Sequence, residues 1–181
     1  VLFPIFNVLR NRSDVMRFNS QEDMSVWLST TMIQALRKLV ALWTAYFDTL
    51  ERRLPGLLEL LCACICQEND TLARIGTACL QQLVVLNVSR FDENRWRATV
   101  DAFVRLFRAT TASQVFDPAL SAPEVPGAPG AIERRHAFKR IIVKCVLQLL
   151  LIETTHELLL HATVYDAMPI AELLRLTAAL E

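Results

Sequence analysis

The 181 residues predict an all-α chain, an α-solenoid of stacked helical hairpins. Three observations carry this. Apolar residues recur at steps of three and four through most of the length, the helical period. They make up 53% of the chain with only 4 glycines, which excludes a disordered segment and a turn-rich β protein. The stretch 54–87 reads as two short amphipathic helices joined by a tight acidic turn. Its apolar faces are too wide for one hairpin to bury, so it must stack on neighbours.

Taken in order, residues 1–12 read as the tail of a helical unit and 13–21 as a polar loop. Ser20 is placed to cap a helix, with Asp23 as an acidic variant of the capping box. One long helix is expected from about 21 to 51. Met24, Trp27, Leu28, Thr31, Ala35, Leu36, Leu39, Trp43, Phe47 and Leu50 hold its period, with Gln34, Arg37 and Lys38 on the other side. In the hairpin, Pro55 suits a first helical turn, and Leu57, Leu58, Leu60, Leu61 and Ile65 form the apolar face. The run Gln67-Glu68-Asn69-Asp70 breaks it, and Asn69 or Asp70 can cap the next helix. That helix carries Leu72, Ile75, Cys79, Leu83 and Leu86 and ends near Asn87.

Asp92 is placed to cap the following helix, with Phe91 packing on Trp96 as a hydrophobic staple. Its stripe is Trp96, Val100, Phe103, Val104 and Phe107, ending near Ala112. These helices make a first block, 1–112. From 113 to 131, Pro118, Pro123, Pro126 and Pro129 with Gly127 and Gly130 predict a mobile surface loop. The block 132–181 continues the solenoid. Its helix over 132–162 is expected to turn Phe138, Ile141, Ile142, Cys145, Leu149, Ile152 and Leu159 inward and to break near Glu153-Thr154-Thr155. A last helix opens at Met168-Pro169, and its Leu173, Leu174, Leu176 and Leu180 have no evident partner in the sequence.

Formal net charge is zero, with 19 basic and 19 acidic side chains, against a nucleic-acid partner, which calls for a basic excess. The chain begins Val-Leu-Phe-Pro and stops inside a helical pattern, so it reads as a segment of something longer. It shows no secretory leader, and its longest apolar runs, 57–66 and 141–152, are too short to span a bilayer. An odd count of five cysteines without zinc-type partners fits a reducing, cytosolic setting.

Cys62, Cys64 and Cys66 cannot converge on one metal from a helix, because Cys64 points roughly 160° away from the other two. They read as small core hydrophobes. His136, His156 and His161 form no ligand motif, and neither a nucleophile elbow nor a phosphate-binding glycine loop occurs. No catalytic residue, metal or cofactor is expected. The basic run Arg134, Arg135, His136, Lys139, Arg140 and Lys144 opens a helix, where the macrodipole favours acids. It reads first as a solvated face balanced by Glu133, and second as a patch for an acidic partner or an anionic lipid surface. Trp27, Trp43 and Trp96 lie in helical stripes and read as core.

The hairpin's Pro-x-Leu-Leu, its Asn-Asp turn and the Arg four residues on resemble a HEAT repeat. In such repeats the turn acid and that Arg meet in polar ladders between units, a role open to Asp70 and Arg74. The two are also (i, i+4) neighbours, so a solvated pair is equally open. The run DMSVWLSTTMIQALRKLVALWTAYFDTLERRLPGLLELLCACICQENDTLARIGTACLQQLVVLN closely resembles a C-terminal region of the large late-Golgi Arf guanine-nucleotide exchange factors, the Sec-seven/BIG family, in fungal form. The similarity continues through RWRATVDAFVRLFRATTASQVFD and FKRIIVKCVLQLLLIETTHELL.

The resemblance implies a HEAT/armadillo-like segment downstream of the exchange domain. Such domains are linked to membrane recruitment, to activated small GTPases of Arf and Rab type, to dimerisation of the parent and to autoinhibition. It implies a cytoplasmic protein peripheral on the late Golgi and trans-Golgi network. The acidic finger loop of the exchange domain has no counterpart here, so the segment is expected to be non-catalytic. Two other readings stay open: a HEAT scaffold of another trafficking or transport machine, and a small helical enzyme.

Overall fold

The computed structural model describes residues 31, 33–67, 70–116 and 131–180, all in helices, turns and short connections, with no strand among them. In chain order the helices are α1 (Ile33–Ala45), α2 (Phe47–Leu50), α3 (Leu54–Ile65), α4 (Asp70–Asn87), α5 (Glu93–Thr110), α6 (Ala131–Leu160), α7 (Ala162–Ala167) and α8 (Ile170–Ala178). The expectations for 1–30, for the acidic turn at 68–69 and for the Pro-rich stretch at 117–130 lie outside the described residues.

Helix α4 is the hub. It packs against α3 and α1 along its length and against α6 and α7 beyond them. The contacts fall into two rows. One runs α1–α4–α6 and the other α3–α5–α8, with α3–α4 and α5–α6 joining them. Ala73, Cys79, Leu80, Leu83 and Val84 of α4 are buried where these helices meet. The stretch Thr71–Arg90 is long and apolar enough to cross a membrane by length and composition, yet half of it is covered by protein. Those neighbours account for its hydropathy.

The expected helix from 21 to 51 does not run through. It stops at Ala45, Tyr46 leaves helical geometry, and α2 and a 3-10 turn over Glu51–Arg53 lead into α3. The break is held from both sides. Trp43 Nε1 donates to the Leu50 carbonyl at 3.0 Å, and the Trp43 and Phe47 rings meet edge to face at 4.9 Å. Arg90 and Arg95 lie over the Phe47 ring at 5.4 and 5.2 Å, and Arg95 pairs with Glu51. Buried Asn87 donates to the Thr44 hydroxyl at 2.9 Å and the Leu83 carbonyl at 2.8 Å, tying the end of α4 to α1.

The start of α5 is as the sequence predicts. The Asp92 carboxylate accepts from the Arg95 backbone N–H at 2.9 Å, and Phe91 packs edge to face on Trp96 at 5.3 Å. Trp96, Val100, Phe103 and Phe107 are buried, and Val104 is half-buried.

Helix α6 differs from expectation twice. No break occurs at Glu153-Thr154-Thr155, because the Thr154 hydroxyl turns back onto the Leu150 carbonyl of its own helix at 2.8 Å and both threonines are buried. Its inward face is also different: Ile141, Leu147, Leu151, Thr154, Thr155 and Leu158 are buried. Of the residues expected inward, Ile141 alone is buried and Leu159 is half-buried; Phe138, Ile142, Cys145, Leu149 and Ile152 are exposed. Apolar residues lie on every side of this helix, so periodicity could not choose between faces. In α8, Leu176 does find a partner: it is buried in the core as α8 packs on α5, while Leu173 is half-buried and Leu174 and Leu180 stay exposed.

At Gly76 of α4 an added Cβ would lie 2.7 Å from Ile65 Cγ1 and 3.2 Å from the Ile65 backbone nitrogen. Ile65 is fully buried and cannot move aside. We therefore expect Gly76→Ala to lower stability by about 1–3 kcal/mol despite its gain in helix propensity. Gly56→Ala, where nothing lies within 4 Å, should raise stability by up to about 1 kcal/mol. Urea unfolding checks both; a more stable Gly76→Ala variant would refute the close approach.

Candidate interaction surface

Several polar groups among the described residues join one helix to another. Glu172 of α8 is buried and faces Arg97 at 3.7 Å and Arg175 at 2.7 Å, and Arg175 also pairs with Asp101. This network fixes α8 on α5, and a buried carboxylate is tolerated because two guanidinium groups face it. Gln81 donates to Glu157 at 2.9 Å across α4 and α6, and the Thr110 hydroxyl donates to Gln148 at 2.7 Å across α5 and α6. Sequence reasoning missed these pairs: their members stand 38 to 76 positions apart and leave no short-range signal.

The basic run sits on the first turns of α6. Arg135, His136, Lys139 and Arg140 are exposed, and Arg134 and Lys144 are half-buried. At about 100° per residue, Arg135, Lys139, His136, Arg140 and Lys144 spread over roughly half the helix circumference. Lys144 turns to α5, where its Nζ donates to the Thr111 carbonyl at 3.4 Å just past the end of that helix, a position that favours a cation. Exposed Lys139 and Arg140 remain as a solvent-facing pair beside Arg135. Arg74 is exposed on α4; the Asp70 side chain, its expected ladder partner, lies outside the described residues.

The cysteines divide by face. Cys64 and Cys79 are buried, Cys62 is half-buried, Cys66 and Cys145 are exposed, and all five are free thiols. The core reading thus holds for Cys64 and Cys79 and fails for Cys66 and Cys145. Among the described residues no group of His, Cys, Asp and Glu is arranged to hold a metal. His156 and His161 are exposed, and His161 Nδ1 lies 2.8 Å from the Thr163 hydroxyl. Trp43 and Trp96 are core, as expected; Trp27 lies outside the described residues. An open cleft of about 410 Å³ between α5, α6 and α8 has Val104 and Phe107 in its floor and Arg108 and Arg175 at its rim. Among the described residues that line it, no nucleophile stands beside a base.

Burial pushes the Cys62 thiol up to about 11 and that of Cys64 to about 12, and raises those of Cys66 and Cys79. None of them is an activated nucleophile. The unfolded thiol ionises near pH 9, so these groups cost nothing below it. As pH rises from 9 towards 12 the unfolded chain loses protons first and the native state loses stability. Cys64→Ala should make that alkaline fall shallower in urea titrations at pH 8 to about 11; an unchanged slope would contradict the burial of this thiol.

Comparison with known proteins places the chain. It is 59% identical over 117 residues to the ADP-ribosylation factor guanine nucleotide-exchange factor SEC7 of Saccharomyces cerevisiae, covering 65% of this chain and 6% of that protein. It is 35% identical over 208 residues to the exchange factor sec72 of Schizosaccharomyces pombe, covering 99% of this chain and 11% of that protein. The brefeldin A-inhibited guanine nucleotide-exchange protein 1 of Homo sapiens is 30% identical over 108 residues, 59% of this chain and 6% of that protein. No family model matches, and no solved structure does. The chain thus spans about a tenth or less of the length of these relatives. It is homologous to a segment of the large Sec7/BIG Arf guanine nucleotide-exchange factors and belongs to that family.

Proposed function

We propose that this chain is a non-catalytic, HEAT-like scaffold segment of a large Arf exchange factor. On this reading it lies C-terminal to the exchange domain and presents a surface to a GTPase or to other domains of the parent. The observation that carries the reading is the match along 99% of the chain to a fission-yeast exchange factor. The two rows of helices support a solenoid, in which each unit buries its faces against the next. The polar groups support a scaffold, because Glu172, Arg175, Asp101, Gln81 and Glu157 are engaged in joining helices. Kinship with exchange factors disfavours a scaffold unrelated to Arf.

Mechanistically, the segment would act by binding. A helix face that engages an activated Arf or Rab-type GTPase biases where the catalytic domain meets its membrane-bound substrate, at the late Golgi on this reading. Coupling of that kind requires a binding preference for one state of the partner. The exposed Arg135, Lys139 and Arg140 would add attraction to anionic lipid, worth about 1 kcal/mol per charge near the surface.

Deleting the segment from the full-length exchange factor should abolish pull-down by GTP-locked Arf or Rab and slow exchange on liposomes, with exchange in solution unchanged. Unchanged recruitment and unchanged liposome exchange would remove the proposal. Reversing Arg135, Lys139 and Arg140 to Glu should weaken flotation with anionic vesicles and leave neutral vesicles unaffected; equal flotation of both forms returns the run to a solvated face.

A further inference from the structure

The cleft between α5, α6 and α8 combines an apolar floor with an unbalanced cation. Its floor follows one face of α5 from Val104 through Phe107 to Thr111, about 10 Å along the helix. Ala178 and Ala179 of α8 make a low wall on one side, and Gln148 of α6 stands on the other. Its volume of about 410 Å³ lies within the range of clefts that hold ligands. Half-buried Gln148 has one amide atom on the Thr110 hydroxyl, and its second has no partner among the described residues. An amide bonded on one side only can still take a peptide backbone group.

Three cations stand around this cleft, and two of them are balanced. Arg175 pairs with Asp101 and Glu172. Helices α5 and α8 both end here, and each end carries the equivalent of about half a negative charge. Lys144 offsets these from α6, with its Nζ donating to the Thr111 carbonyl at 3.4 Å. Arg108 is left over. It is exposed and makes no ion pair among the described residues, and no Asp or Glu is among those that line the cleft.

We propose that the cleft binds a peptide segment in which an acidic side chain stands next to a large apolar one. The carboxylate pairs with the Arg108 guanidinium, whose fork matches its two oxygens. The apolar side chain lies over Val104 and Phe107, within about one helical turn of that pair. The second atom of the Gln148 amide takes a backbone group of the segment. A peptide suits the cleft better than a lipid tail does. A floor of about 10 Å is short for an acyl chain, and an acyl chain would leave the Gln148 amide unpaired. This proposal does not rest on the exchange-factor reading, because its test needs only this chain and a synthetic peptide.

Fluorescence anisotropy tests it, with a fluorescein-labelled octapeptide that holds a Leu-Phe pair between two Glu residues. The peptide should bind with a Kd of about 10–500 µM. Control peptides with Lys for both Glu, or with Ala for the Leu-Phe pair, should bind at least about tenfold more weakly. Arg108→Glu should weaken binding about tenfold or more, while Lys139→Glu, which reverses an exposed cation of α6 outside the cleft, should leave it unchanged. Ala178→Phe, at an exposed wall position, should block the floor and abolish binding while circular dichroism and the urea midpoint stay unchanged. No binding at about 1 mM peptide overturns the proposal. So does binding indifferent to Ala178→Phe, or weakened as much by Lys139→Glu as by Arg108→Glu, which is attraction by net charge alone. Dodecanoate binding in place of the peptide, lost in the Arg108→Glu and Ala178→Phe variants, gives the cleft to a lipid and overturns it too.

Discussion

The fold depends on how closely two helices can approach. Gly76 lets α4 sit against Ile65 of α3 at a distance that no side chain would permit. Around that contact α4 becomes the helix touched by α1, α3, α6 and α7. A single helix with four neighbours must be apolar on most sides, which is why α4 resembles a membrane span in composition while lying inside a protein core. Burial of Leu80, Leu83 and Val84 supplies the driving force, at about 25 cal/mol for each Å² of apolar surface removed from water.

Polar chemistry in this molecule serves the same end. Asn87 closes α4 onto α1, Arg95 and Arg90 bracket Phe47 where the chain leaves α1, and Glu172 anchors α8 to α5 between two arginines. Thiols that a reader of the sequence would notice first are held protonated by burial rather than activated. Among the described residues, α6 faces solvent with apolar side chains such as Ile142 and Leu149 and, near its start, with a basic cluster. Surfaces of that kind recognise other molecules.

Much of this was legible where the signal is local. The two helices within 54–87, the Asp92 cap and the Phe91–Trp96 staple could be read because each depends on residues within a turn or two of one another, although Leu86 of the expected stripe is exposed. The interruption at Tyr46 could not, since it is fixed by Trp43 reaching Leu50 and by Arg90 and Arg95 arriving from a later helix. Helix α6 shows a different limit. With Ile141 and Ile142 side by side and leucines on every face, the pattern said helix but not which side turns inward, and the choice fell to contacts with α4 and α5. Of the basic run, the residue types were visible and their fates were not: that Lys144 turns to Thr111 while Lys139 faces solvent is a tertiary fact.

If α4 is the hub on which both rows depend, its backbone should open last. Hydrogen–deuterium exchange of the chain, resolved by residue, measures this directly. The account predicts that amides around Leu80 to Val84 exchange only through global unfolding, more slowly than those of α1, α7 or α8. Faster exchange in α4 than in those flanking helices would contradict it.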